Sequence, residues 1–154
     1  HDELTGLLSE SGLLQATVSQ ASRFTGFTQA IAHINLDHFS LITNGLGKSQ
    51  GDQVLLTFAS RLKETIHPSG AISRIGGDKF ACSLIGTSVS ALRTEVSSLS
   101  QHLNDLKIDI NGQPLNITVS IGAPIHPQAA DTEALIGEVR AWIESEMTRI
   151  GSAR

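Results

Sequence analysis

The stretch AISRIGGDKFACSLIG, residues 71–86, leaves its backbone little freedom. "AISRI" and "FACSLIG" read as strands, and Gly76 and Gly77 between them supply the positive φ that a tight hairpin turn needs. On the second strand Phe80, Cys82 and Leu84 alternate onto one face, which makes that face core. Cys82 therefore reads as a small buried hydrophobe rather than a reactive thiol. A hairpin with one apolar face commits the chain to a sheet with other elements packed on it. Its tip sets Asp78 beside Lys79 in a turn otherwise suited to presenting acids to a metal or a phosphate. The plainest reading of that pair is an exposed ion pair of little energetic value.

Around the hairpin the chain alternates helix and strand. Residues 9–22 carry Leu13, Leu14, Val18 and Ala21 at helical spacing, with Ser9 or Ser11 as cap. Residues 28–37 read as a strand with Ala30, Ala32, Ile34 and Leu36 on one face; the other face, Ile31, His33, Asn35 and Asp37, turns polar toward its end. A helix capped by Asp37 is expected to run to the break at NGLGKSQG. The next helix, residues 52–66, buries Val54, Leu55, Phe58, Leu62 and Ile66, with Asp52 at its positive end. Pro68 to Gly70 form a turn before the hairpin, and residues 88–106 form another helix. A second hairpin joins KIDIN through Gly112 to LNITVSIGAPI, and a final helix over about Thr132–Ile150 buries Leu135, Ile136, Val139, Ile143 and Met147. This order predicts an α+β fold, one mostly antiparallel sheet covered by helices.

At 154 residues the chain fits one domain, 1–154. A net charge of −4 argues against nucleic acid as a partner. With no tyrosine and 4% aromatic residues, stacking platforms for single strands are not expected either. One cysteine makes no internal disulfide, and no apolar run has membrane length, so the expected setting is cytoplasmic, with no membrane contact by this segment. His33, Asn35 and Asp37 on one strand face fit a transition metal or simply a polar cleft.

Four ordered blocks carry a resemblance: DELTGL at 2–7, INLDHFSLITNGLGKSQGDQVL at 34–55, RIGGDKF at 74–80 and VSIG at 119–122. Together they resemble the GGDEF (diguanylate cyclase) domain over nearly the whole chain. The resemblance implies a palm-like sheet flanked by helices, as in nucleotide cyclases. It also implies condensation of two GTP molecules to cyclic di-GMP across a dimer, with divalent ions activating a 3′-hydroxyl.

Carried over residue by residue, the resemblance implies a degenerate domain. The metal-binding Asp at the end of the first strand is Asn35, a neutral ligand, while the acid at the third place of the turn is retained as Asp78. The fourth acid is Lys79, which cannot accept a proton at neutral pH and repels a metal. The phosphate-holding lysine is Ser40. The guanine-reading asparagine is Thr43, with Asn44 adjacent, and the guanine-reading Asp is kept as Asp52. The late lysine and arginine fall on Met147 and Gly151, and the pair after the first motif on Ser9 and Glu10. The inhibitory product site is absent, its motif positions being His67 and Gly70. Scaffold positions persist: Leu4, Gly6, Leu7, Phe39, Gly47, Gly51, Gly76, Gly77 and Phe80.

The residues left for nucleotide contact are Asp52, Asn44, Gly76, Gly77 and Lys79, with Asp78 as a metal-site remnant and no metal expected. Structural roles explain the same residues: Gly76 and Gly77 by the turn, Asp52 by a helix-start charge worth about 0.3–1 kcal/mol. Gly45, Gly47 and Gly51 read equally as a phosphate cradle or a plain loop. The expected function is a catalytically inactive GGDEF domain that regulates a neighbouring domain, for instance an EAL phosphodiesterase, or a partner. GTP is a candidate ligand, homodimerisation is open, and the segment reads as a piece of a longer signalling protein. The alternatives are an active cyclase using Mg2+ with rearranged ligands such as Asp37, and a structural dimerisation or scaffold module.

Overall fold

In a computed structural model, which describes residues 2–23, 27–66, 71–104, 106–110, 112–122, 125, 126, 137 and 141, one central strand organises the chain. The elements are α1 (Glu10–Arg23), β1 (Thr28–Leu36), α2 (Phe39–Leu46), α3 (Lys48–Thr65), β2 (Ala71–Gly76), β3 (Lys79–Gly86), α4 (Val89–Asn104), β4 (Leu106–Ile110), β5 (Gln113–Ile117), β6 (Val119–Gly122) and β7 (Ile125–His126). The main sheet has the order β2-β3-β1-β6, with β7 also on β1, and every pairing is antiparallel. β4 and β5 form a separate two-stranded ribbon. The architecture is the expected α+β one.

Alternation along β1 divides the molecule. Ala30, Ala32, Ile34 and Leu36 join Phe80, Cys82 and Leu84 in the main core, against Val54, Leu55, Phe58 and Leu62 of α3 and Leu92, Leu99 and Leu103 of α4. Phe80 meets Phe58 edge-on, ring centroids 5.1 Å apart, so the residue just after the turn is anchored in the core. The opposite face carries a smaller cluster of Leu13, Ile31 and Ala81 under α1. Polar groups extend that contact: the Gln29 amide donates to Thr17 O (3.0 Å) and Gln20 Oε1 (3.2 Å). β2 is the outer strand, and the chain before α1 runs along it. Leu8 bridges Ser73 in parallel fashion, its N–H donating to Ile72 O and its carbonyl accepting from Arg74 N–H, both at 3.1 Å.

Several elements differ from the sequence reading. In α1 Leu13 is buried as expected, but Val18 is half exposed and Thr17 and Gln20 are buried in its place. Ser9 does cap α1, its hydroxyl accepting from Gly12 N–H at 3.2 Å. Asp37 caps nothing: His38 occupies the N-cap of α2, without a side-chain hydrogen bond, and the Asp37 carboxylate is engaged across the sheet. α3 begins at Lys48 rather than Asp52, so the break shrinks to Gly47, and Asp52 lies a turn inside the helix. Gly51 is therefore neither loop nor cradle. It is buried in α3, where an added Cβ would collide with Thr43 Cγ2 of α2. LNITVSIGAPI is not one strand; it breaks at Thr118, β5 staying in the ribbon while β6 crosses to β1. Leu106 belongs to β4 rather than to the helix before it. The turn Pro68–Gly70, the positions His67 and Gly70, and the final helix with Met147 and Gly151 lie outside the described residues, apart from the helical Gly137 and Ala141.

Candidate functional site

β1 ends between two polar neighbours. In the antiparallel register Asn35 lies opposite Lys79 of β3 on one side and Ser120 of β6 on the other. Directly opposed residues share a face, so Lys79, Asn35 and Ser120 form one row across three strands. Backbone bonds clamp the strand end: Leu36 N–H donates to Asp78 O (3.1 Å) and Asp37 N–H to Thr118 O (2.9 Å). The chain then enters α2 through His38 at φ 59°, the one non-glycine residue with positive φ among the described residues. Such a conformation costs on the order of 1–3 kcal/mol and is held by its surroundings. On the other side, Gly77 at φ 54° closes the β2–β3 turn in a conformation that a Cβ disfavours. The result is a cavity of about 330 Å³ lined by Asn35, Leu36, Asp37, His38, Asp78, Lys79 and Ser120.

Each charged group in this cavity already has a partner. Lys79 is 8% exposed, and its Nζ lies 3.1 Å from Asp78 Oδ1. The pair is thus partly buried, not the exposed ion pair that the sequence suggests. The Asp37 carboxylate accepts from the Thr118 hydroxyl (2.8 Å) and the Ser120 hydroxyl (2.7 Å). Asn35 Oδ1 is buried with no hydrogen-bond partner among the described residues, an arrangement that ordinarily costs about 1–3 kcal/mol.

These residues do not fit a divalent cation. An ion held by Asp78 would share that carboxylate with an ammonium already 3.1 Å from it, and a divalent charge about 4 Å from an ammonium is repelled by roughly 8 kcal/mol at an effective dielectric constant of about 20. Asn35 offers only a neutral oxygen. Among the described residues no three His, Cys, Asp or Glu side chains come together as a metal-binding group.

Asp52 faces elsewhere. It lines a second cavity of about 610 Å³ with Asp2, Lys48 and Arg74 among its neighbours. Arg74 Nη1 donates to Asp2 Oδ1 at 3.1 Å and Oδ2 at 3.3 Å, while its Nε donates to Gly77 O at 3.0 Å. Burial pushes the Asp2 carboxyl up, but hydrogen bonds from Thr5 and the Arg74 charge outweigh it and hold the group below its ordinary value. The β2–β3 hairpin lines both cavities, Arg74 and Ile75 on one and Asp78 and Lys79 on the other. Asn44 and Ser40 are exposed on α2. The Thr43 hydroxyl donates to Phe39 O or Ser40 O within its own helix. The structure therefore joins Asn35, Asp78 and Lys79 and leaves Asp52 and Asn44 out of that group. Burial pushes the Cys82 thiol up to about 12, with the Glu95 charge adding to it, which suits a core residue.

Sequence reasoning missed Thr118 and Ser120. Alternation in VSIG marks a strand, but only the β1–β6 register brings that strand to Asp37, 81 and 83 residues away.

The family model described as "Diguanylate cyclase, GGDEF domain" matches residues 1–147. The chain belongs to the GGDEF family. The diguanylate cyclase TpbB of Pseudomonas aeruginosa (strain UCBPP-PA14) is 29% identical to this GGDEF domain over 141 residues, 88% of the domain and 32% of TpbB. The cyclic di-GMP phosphodiesterase NbdA of P. aeruginosa (strain PAO1) is 31% identical over 132 residues, 82% of the domain and 16% of NbdA. The domain thus spans about a third or less of these relatives. Among solved structures, a sensory box/GGDEF family protein from Caulobacter crescentus CB15 superposes with a TM-score of 0.77 at 27% identity, covering 95% of this chain and 98% of that one. In this GGDEF domain the signature reads GGDKF, and its lysine is the buried cation of the smaller cavity.

Proposed function

We propose that this GGDEF domain is a non-catalytic module of cyclic di-GMP signalling that regulates a neighbouring domain or partner. One observation carries the reading: the Lys79 ammonium is paired to Asp78 across from the neutral Asn35, at the turn position where the family resemblance implies an acid. Two-metal chemistry requires anionic oxygens on the metal and an acceptor for the hydroxyl proton, and here a cation stands among them. Asp37 and Asp78 against Lys79 leave the cavity lining net negative, so a triphosphate arriving without its metal meets repulsion and any GTP binding is weak. The match to a segment of a cyclic di-GMP phosphodiesterase favours an EAL-type neighbour as the regulated partner.

A second reading, an active cyclase with Asp37 as the replacement ligand, has in its favour that Asp37 lines the same cavity as Asp78. Against it, both Asp37 oxygens already accept hydroxyl protons.

Incubation with GTP and Mg2+ or Mn2+ followed by chromatography for cyclic di-GMP tests the proposal. No product above the protein-free control is expected. Product that scales with protein concentration sinks the reading. Lys79→Glu alone is expected to remain silent because Asn35 stays neutral; the double variant Asn35→Asp/Lys79→Glu is the stronger trial, although Ser40 still lacks a phosphate-holding charge. GTP titration separates a weakly binding regulatory module from a pure scaffold.

A further inference from the structure

We infer that Lys79 is a tethered cation: its ammonium has taken over the charge-neutralising place of a divalent ion, so the site is closed to metals but is reopened by removing that one charge. The inference rests on the non-catalytic reading of the same cavity.

Three observations support it. Lys79 is buried although lysine is rarely so unless paired, and its pairing is with the one acidic residue of the turn, Asp78, at 3.1 Å. The oxygens around it outnumber what one ammonium neutralises: Asp78 and Asp37 both line the cavity, and Asn35 Oδ1 is buried there with no hydrogen-bond partner among the described residues. The backbone that carries these oxygens is fixed without the Lys79 ammonium, which itself holds the Asp78 carboxylate. The strand end is fixed by the backbone bonds to Asp78 O and Thr118 O, the turn by Gly77 and by Phe80 in the core, and Asp37 by its two hydroxyl donors. Replacing Lys79 by a neutral or acidic residue thus frees the Asp78 carboxylate beside Asn35 Oδ1, with the Asp37 charge nearby left uncompensated, hard oxygens of the kind that Mg2+ or Mn2+ prefers.

The test is direct binding of Mn2+, followed by the loss of its free-ion EPR signal, together with thermal unfolding in MgCl2 or MnCl2 at ionic strength matched with KCl. The wild-type chain is expected to leave the Mn2+ signal intact and to show no metal-dependent shift. Lys79→Glu is expected to bind the ion, and its unfolding midpoint to rise by roughly 3–6 °C at about tenfold excess over the dissociation constant. Lys79→Gln serves as the second variant, and for either one, folding only when the ion is present counts as support. Wild-type binding of Mn2+ that Asp78→Asn abolishes overturns the inference, as does absence of ion binding, or of ion-dependent folding, in both Lys79 variants. Wild-type Mn2+ binding without cyclic di-GMP formation overturns this inference alone. Product formation by the wild type overturns the functional reading with it.

Discussion

Asp2 and Arg74 lie 72 residues apart in sequence, yet their contact joins the start of the chain to the turn that carries Lys79. Because the folded Asp2 carboxyl titrates below its ordinary 3.8, its contribution to stability is present above that pH and is lost as pH falls through the lower folded value. Asp2→Asn is therefore expected to be less stable than wild type at neutral pH by roughly 0.5–1 kcal/mol. The gap should narrow as pH falls below about 3.8. Urea midpoints at pH 7 and pH 3 check this, and a gap undiminished in acid counts against it. At this scale the sequence revealed residues whose partners are close in sequence. Asp78 and Lys79 were legible from the hairpin, whereas Asn35 joined them only through the family resemblance. The engagement of Asp37 with Thr118 and Ser120 was not legible, because a carboxylate before a helix looks the same whether it caps that helix or finds hydroxyls across a sheet.

Between elements, the tightest approach is that of α2 to α3 at Gly51. Thr43 lies against it with its hydroxyl committed to its own helix, so the methyl has no free rotation away from an added Cβ. Gly51→Ala is expected to destabilise the fold by about 1–3 kcal/mol. Thr43→Ala in the same chain should recover much of that loss, since it removes the methyl that is struck. Chemical denaturation of the single and double variants checks the coupling, and strictly additive effects would refute it. A glycine among polar residues reads as a helix break, which is why residues 48–51 looked like loop. Only tertiary packing distinguishes a glycine that ends a helix from one that lets two helices touch. The polar face of α1 was illegible for a similar reason: Thr17 and Gln20 are buried because Gln29 meets them, and nothing local to residues 10–23 announces that.

For the whole molecule, alternation along β1 and β3 was enough to predict a sheet with one main core, and α3 and α4 supply it. What periodicity could not reveal was how the sheet ends. On the outer side of β2 the bridge at Leu8 occupies amide and carbonyl groups that would otherwise face solvent. Removing residues 1–9 should turn that side into an adhesive template for any extended chain, including another copy of the same protein. The shortened chain is expected to form larger species at concentrations where the intact one does not, as measured by sedimentation velocity, whereas Asp2→Asn, which keeps the bridge, should behave as wild type. Identical sedimentation of shortened and intact chains would refute it. The first family motif would then have a duty unrelated to nucleotides: it shields the protein against aggregation, whether or not the neighbouring turn ever meets a substrate.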